Sequence, residues 1–198
     1  MSTARRQLAV LYSDISTRTQ TIAAEHTWWP CKKGCDSCCK NLAAPPAFTP
    51  LEWEVLWEEF TQLPLATQHL VRDRVAQLAP NPTPGPVPTP GAVATTPAQG
   101  ENPPLNTHPP TTEPRYTCPF LNVESGACLV YASRPAICRT YGFYVQRYEG
   151  NWCNQILHEV THREQLVLWG NQETVDSTLR RLSGLPISIH DYFALKSQ

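Results

Sequence analysis

Four cysteines within nine residues constrain this chain more than anything else in it: Cys31, Cys35, Cys38 and Cys39, in the run CKKGCDSCC. Four more, Cys118, Cys128, Cys138 and Cys153, follow at near-regular intervals in the second half. Zinc and iron–sulfur centres take soft thiolate ligands, usually four to an ion or cluster. The tight run can hold two or three such ligands, and the distant segment can close the shell. The pattern therefore predicts a fold organised around a metal ion, with all eight cysteines as candidate ligands.

An even number of cysteines also suits a disulfide framework, which needs an oxidising compartment. The opening stretch MSTARRQLAVLYSDISTRTQ has no long apolar run and no small-residue cleavage site, so it does not read as a secretory signal. Arg5-Arg6 resembles a twin-arginine signal, but the following residues turn polar at Ser13-Asp14. No run of about 18 apolar residues is present, so no membrane span or membrane partner is expected. The expected location is the cytoplasm, where clustered thiols stay reduced and bind metal. A formal net charge of −1 with no basic stripe argues against a nucleic-acid partner.

Of the 20 prolines, 12 lie between Pro80 and Pro114. That stretch has almost no large apolar side chains, so it is expected to be an extended or disordered tether. It divides the cysteines four and four. The expected organisation is an N-terminal helical half over 1–79, a Pro-rich linker over 80–114, and a second cysteine segment with C-terminal helices over 115–198. The two halves together form one metal-binding domain.

Leu8, Leu11, Tyr12, Ile15 and Ile22 recur at helical spacing, which predicts an amphipathic helix over 4–26. Thr49-Pro50-Leu51-Glu52 carries the marks of a helix start, and Trp53, Leu56, Trp57, Phe60 and Leu63 form the apolar face that follows. A further helix carries Leu70, Val75 and Leu78. Residues 116–149 read as loops and short strands. A helix is expected from Asn154 through Trp169, burying Ile156, Leu157, Val160, Val167 and Leu168, and another bears Val175, Leu179 and Leu182 and stops at Gly184. The fold class is mostly α, with short strands and irregular loops around a cysteine-ligated metal centre.

Within the first run, Cys35-Asp36-Ser37-Cys38 is a CxxC knuckle that sets two sulfurs on one side of a tight turn, and Gly34 lets the backbone turn. Adjacent Cys38 and Cys39 rarely serve one ion in a relaxed geometry, so one binds and the other packs, or they reach two metals. Eight thiols suffice for two four-ligand sites, or one site with spares. Crowded thiolates call for nearby cations. Arg134 and Arg139 are candidate donors to metal-bound sulfur, whereas Lys32, Lys33 and Lys40 read as surface charges. Trp28, Trp29, Trp53 and Tyr141 read as apolar cover, which would also keep water from a metal.

His158-Glu159-Val160-Thr161-His162 spells HExxH, in which two histidines hold zinc and the glutamate activates water. Here both histidines fall on the polar face of their helix and no third ligand is marked downstream, so a zinc protease is the least favoured reading.

The first run, followed by CPFL, then a Tyr before RP, then CR with a following Tyr, resembles the YkgJ family of cysteine-cluster proteins, also described as the CxxCxxCC zinc- or iron-chelating domain. The resemblance runs from Cys31 to about Cys153. One departure is the spacing of three residues, not two, between Cys31 and Cys35. The resemblance implies chelation of zinc or iron, an iron–sulfur centre included, and leaves any reaction open. Flagellin lysine N-methylase is similar in its cysteine pattern, which implies as an alternative an iron–sulfur enzyme using S-adenosylmethionine. No Gly-rich loop suited to such a nucleotide-like cofactor is present.

Overall fold

In the computed structural model of the chain, residues 2–78, 115–146 and 153–197 are described. The Pro-rich stretch expected over 80–114 lies outside them. The described residues are mostly helical, with six two-residue strands.

Helix α1 (Thr3–Glu25) starts at Ser2, whose hydroxyl accepts a hydrogen bond from the Arg5 amide at 3.2 Å. Its buried residues Leu8, Ile15 and Ile22 are spaced by sevens, a stripe that stays on one side of an α-helix. A short helix α2 (Ser37–Lys40) carries Cys38 and Cys39, and strand β1 (Ala47–Phe48) leads into α3 (Pro50–Phe60). As the Thr-Pro-Leu-Glu start predicts, the Thr49 amide and hydroxyl both donate to Glu52 Oε2, at 3.1 and 2.8 Å. A cap of this kind is worth roughly 1 kcal/mol. Leu51, Trp53, Leu56 and Phe60 are buried. Helix α4 (Leu65–Gln77) buries Val71 and Val75, while Leu70 stays exposed.

The second half opens with a hairpin of β2 (Leu121–Asn122) and β3 (Ala127–Cys128), followed by α5 (Ala136–Thr140) and β4 (Tyr144–Val145). Helix α6 runs over Asn154–Arg163, shorter than the helix expected through Trp169. Its end is Glu164, left-handed at φ 51°, a conformation that stops a helix. Beyond it Val167 is buried, but Leu168 is 64 % exposed, correcting the expectation that both lie in the core. Strand β5 (Gly170–Asn171), helix α7 (Gln172–Ser183), strand β6 (Ile187–Ser188) and helix α8 (Ile189–Leu195) complete the chain. As expected, α7 stops at Gly184.

The two halves pack together. Strand β1 pairs antiparallel with β6, Leu42 bridges Tyr116, and α1 lies against α5 and α7. Two hydrophobic clusters result. The first joins α1 to Trp29, Phe143, Ile156, Val160 and α7. The second gathers Trp53, Phe60 and Val71 with Phe120, Val130, Tyr192 and Phe193. No described helix is long and apolar enough to cross a membrane.

Candidate metal centre

Segments on both sides of the Pro-rich stretch bring the cysteines together. The Cys118 amide donates to the Cys39 carbonyl at 2.7 Å, and the Leu42–Tyr116 bridge holds the same two segments side by side. The tip of the β2–β3 hairpin lies on the first cysteine loop. Gly126, at φ +67°, sits so close that a Cβ there would be 2.6 Å from the Gly34 carbonyl oxygen. Glycine is required by this approach as well as by the left-handed backbone. On the other side, Gly142 closes the end of α5 against Cys153: a Cβ on it would be 3.3 Å from the Cys153 Cβ.

All eight cysteines are free thiols, seven of them half-buried and Cys138 exposed. The sulfurs of Cys38 and Cys39 are 4.0 Å apart. A tetrahedron of 2.3 Å zinc–sulfur bonds sets its sulfurs about 3.8 Å apart. Among the described residues no three His, Cys, Asp or Glu side chains already stand in a ligating arrangement. Cysteine sulfur is a donor that suits a thiophilic metal, and the described side chains do not already form a ligand shell.

The thiols sense one another. Burial, then the charges of Cys38 and Cys35, pushes Cys31 up to about 12. Cys138 keeps an accessible edge, yet protein packed around its sulfur, then Cys128 and Cys38, pushes it up to about 12 as well. Cys38 is raised by its contact with Cys39 and then by burial. Cys118 is raised by burial and then by Cys138. Burial also raises Cys128 and Cys153, and for Cys153 the charges of Cys35 and Cys38 add to it. Neutral thiols are what such a crowd prefers until a cation enters, because a coordinating metal deprotonates a thiol outright.

Arg134 is the cation among them. Its charge opposes the rise at Cys31, Cys128 and Cys138. Its guanidinium lies 3.6 Å from the Tyr131 ring centroid, and its Nε donates to the Tyr131 carbonyl. Lys33, from the first cysteine loop, covers the same ring at 5.2 Å. Arg139 is placed differently. It donates to the carbonyls of Arg134 and Ala132 and lies over Tyr12, so it braces the loop that carries Arg134. Lys40 pairs with Asp36 on the surface.

Two carboxylates of α3 hold this loop, and of them only Glu52 is marked in the sequence, at the helix start. Glu59 accepts from the Ser133 amide and Glu52 from the Ala136 amide, each at 2.8 Å. Glu52 is 3 % exposed and also accepts from Tyr12. Residues seven apart share a helix face, so the Glu52/Glu59 spacing was a readable signal once the facing loop was known. It fixes the backbone from which Arg134 and Cys138 project.

The aromatic cover divides between the clusters. Trp29 stacks on Phe143 and His26 and meets Trp169 in the first, with half-buried Trp28 beside it. Trp53 stacks on Tyr192 in the second. Tyr141 faces the thiols: burial, then Cys38 and Cys153, pushes its hydroxyl up to about 12.

The HExxH residues lie elsewhere. His158 and His162 are exposed, with ring centroids 6.2 Å apart. Glu159 hydrogen-bonds Arg163 at 2.9 Å, which holds its carboxyl below the usual range. With Trp28, Pro30 and Gln155, His158, Glu159 and Arg163 line an open groove of about 700 Å³ that contains none of the cysteines. No third ligand joins the histidines among the described residues.

A family model described as "CxxCxxCC: Putative zinc- or iron-chelating domain" matches residues 30–157. The chain belongs to the CxxCxxCC family. The match spans all eight thiols, beginning just before Cys31 and ending just after Cys153. No curated protein and no solved structure matches the chain.

Proposed function

We propose that this CxxCxxCC protein chelates zinc or an iron centre through thiolates contributed by both halves of the chain. The observation that carries the reading is the meeting of the two cysteine segments at α2, where the Cys118 amide is bonded to the Cys39 carbonyl. A bound cation would supply the positive charge that the crowded thiols need to ionise. The chain's own residues do the rest. The α3 carboxylates fix the Arg134 loop, Arg134 lowers the cost of thiolate charge, and the aromatic clusters limit water beside the sulfurs. The same donor set accepts zinc as isolated ions or iron as a sulfur-bridged cluster.

Metal analysis of the full chain purified without oxygen tests this. At least one equivalent of zinc or iron is expected, retained after His158 and His162 are both replaced by Ala. Protein that carries neither metal and takes up neither on reconstitution would overturn the reading. Loss of a full equivalent in the double histidine variant would move the metal to the HExxH helix.

A further inference from the structure

Cys38 and Cys39 are neighbours on the four-residue helix α2, and both are half-buried free thiols. Their backbone is held at three points. The Lys40 amide donates to the Asp36 carbonyl at 2.9 Å, the Asn41 amide to the Cys38 carbonyl at 3.3 Å, and the Cys118 amide to the Cys39 carbonyl at 2.7 Å. From that backbone the two sulfurs meet at 4.0 Å. Two thiols in contact are thus already in place, whereas no three ligating side chains stand together among the described residues. A four-coordinate ion needs more than this pair offers. What the pair can do without rearrangement is chemistry that takes two thiols and no more.

A direct bond between the sulfurs is not that chemistry. The Cys38–Cys39 peptide is trans, which sets the Cα atoms about 3.8 Å apart, short of the roughly 4.4–6.8 Å that a relaxed disulfide spans. A single soft atom set between the sulfurs fits better. With bonds near the ~2.3 Å of a zinc–thiolate bond, it reaches both across 4.0 Å. We infer that the vicinal pair Cys38–Cys39 captures trivalent organoarsenicals, arsonous acids that carry one organic group and two hydroxyls on arsenic. Each thiol replaces one hydroxyl. Two sulfur–arsenic bonds form, two arsenic–oxygen bonds break, and each thiol proton leaves with a hydroxyl as water. Arsenic stays trivalent and keeps its organic group, so no oxidant or reductant takes part. Soft sulfur is the donor such an atom prefers. The first bond brings arsenic beside the second sulfur, and the ring then closes as an intramolecular step between groups already held in place. Resting on the chelating role proposed above, capture withdraws two thiols from the set and so competes with zinc or iron.

Phenylarsine oxide, which hydrates to phenylarsonous acid, serves as the probe, added without oxygen to the full chain after metal removal. Peptide mapping is expected to place one phenylarsenic group across Cys38 and Cys39. That adduct should survive excess glutathione and be removed by dimercaptopropanol, as a two-sulfur ring is. Cys38→Ser and Cys39→Ser are each expected to lose the glutathione-resistant adduct, and Ser37→Ala, a change beside the pair, to keep it. Either serine variant suffices should the other fail to fold. An adduct that persists in both variants, or that maps to other cysteines instead, overturns the inference, as does a wild type that forms none. Metal content of untreated protein is scored apart. A chain that carries zinc or iron yet takes no arsenical keeps the chelating role and loses this inference, and a chain that takes the arsenical but no metal does the reverse.

Discussion

The two hydrophobic clusters that flank the thiols hold their cysteines by different means. On the second side the backbone is fastened at many points. The β2–β3 ladder carries Cys128, the Cys118 amide is bonded to Cys39, and Arg74 donates to the carbonyls of Pro119 and Leu121 at 3.2 and 2.7 Å. Glu59 and Glu52 grip the loop leading to Cys138. On the first side Cys31 and Cys153 pack on the cluster that contains Trp29, Phe143 and Ile156. Hydrogen-bonded backbone keeps its geometry without help, whereas packing against side chains allows rotation and small shifts. The second side is accordingly held mainly by backbone hydrogen bonds and the first mainly by packing.

Removing the carboxylate clamp should break that contrast most visibly. Glu52→Ala strips acceptors from the Ala136 amide, the Thr49 cap and Tyr12 together, and bonds to a charged group contribute about 1.5–3 kcal/mol each when buried partners are orphaned. A loss of roughly 3–5 kcal/mol is expected for Glu52→Ala, against about 1–2 kcal/mol for Glu59→Ala, which has a single amide partner here. Urea unfolding of the metal-stripped variants measures both, and equal losses would mean the Ala136 anchor is not the main one.

Alkaline pH sharpens the comparison next. Cys31 and Cys138 have thiol values raised from 9.0 to about 12 in the folded chain. A raised thiol value means the folded state holds protons that the unfolded state releases. Stability from this source is therefore complete below pH 9 and is lost as pH climbs from 9 through 12. With partial exposure screening the charges, the metal-stripped chain should lose on the order of 1 kcal/mol per pH unit over that window. The metal-loaded chain, its thiols already ionised, should not. Parallel denaturation curves at pH 8, 9 and 10 decide this, and identical slopes for the two forms would contradict it.

A smaller effect is expected at the cation shared by both sides. Arg134→Gln removes the charge that opposes the rise at Cys31, Cys128 and Cys138. Protons then compete better for sulfur, and the midpoint of metal release on acidification should move up by about half a pH unit. A chromophoric chelator followed across pH 4–7 reads the midpoint. An unchanged midpoint would leave Arg134 with only its Tyr131 contact.

Local signals in the sequence carried over well, and long-range ones did not. The Thr49–Glu52 cap and the seven-residue spacing of Leu8, Ile15 and Ile22 each lie within a single helix, so they can be read directly. The end of α6 could not, because Val167, Leu168 and Trp169 continue a plausible apolar face and only the left-handed Glu164 turns the chain away. Helix α8 went unread although Ser188 and Asp191 mark its start, with the Ser188 hydroxyl accepting from the Asp191 amide. That Cys31 and Cys153 pack on one hydrophobic cluster depends on how distant elements come together, which no spacing of cysteines reveals. The same holds for Glu52, whose second task toward Ala136 exists only between distant segments.

On the proposed function, metal joins the two cysteine segments across the Pro-rich stretch. Amide hydrogen exchange of the full chain, compared with and without zinc, tests it most directly. Zinc should slow exchange over 31–40 and over 118–140 together, with the larger gain on the less fastened side, around Cys31 and Cys153. Slowing confined to 31–40, with 118–140 and the start of α6 untouched, would show that the first run binds metal alone and that the halves meet without it.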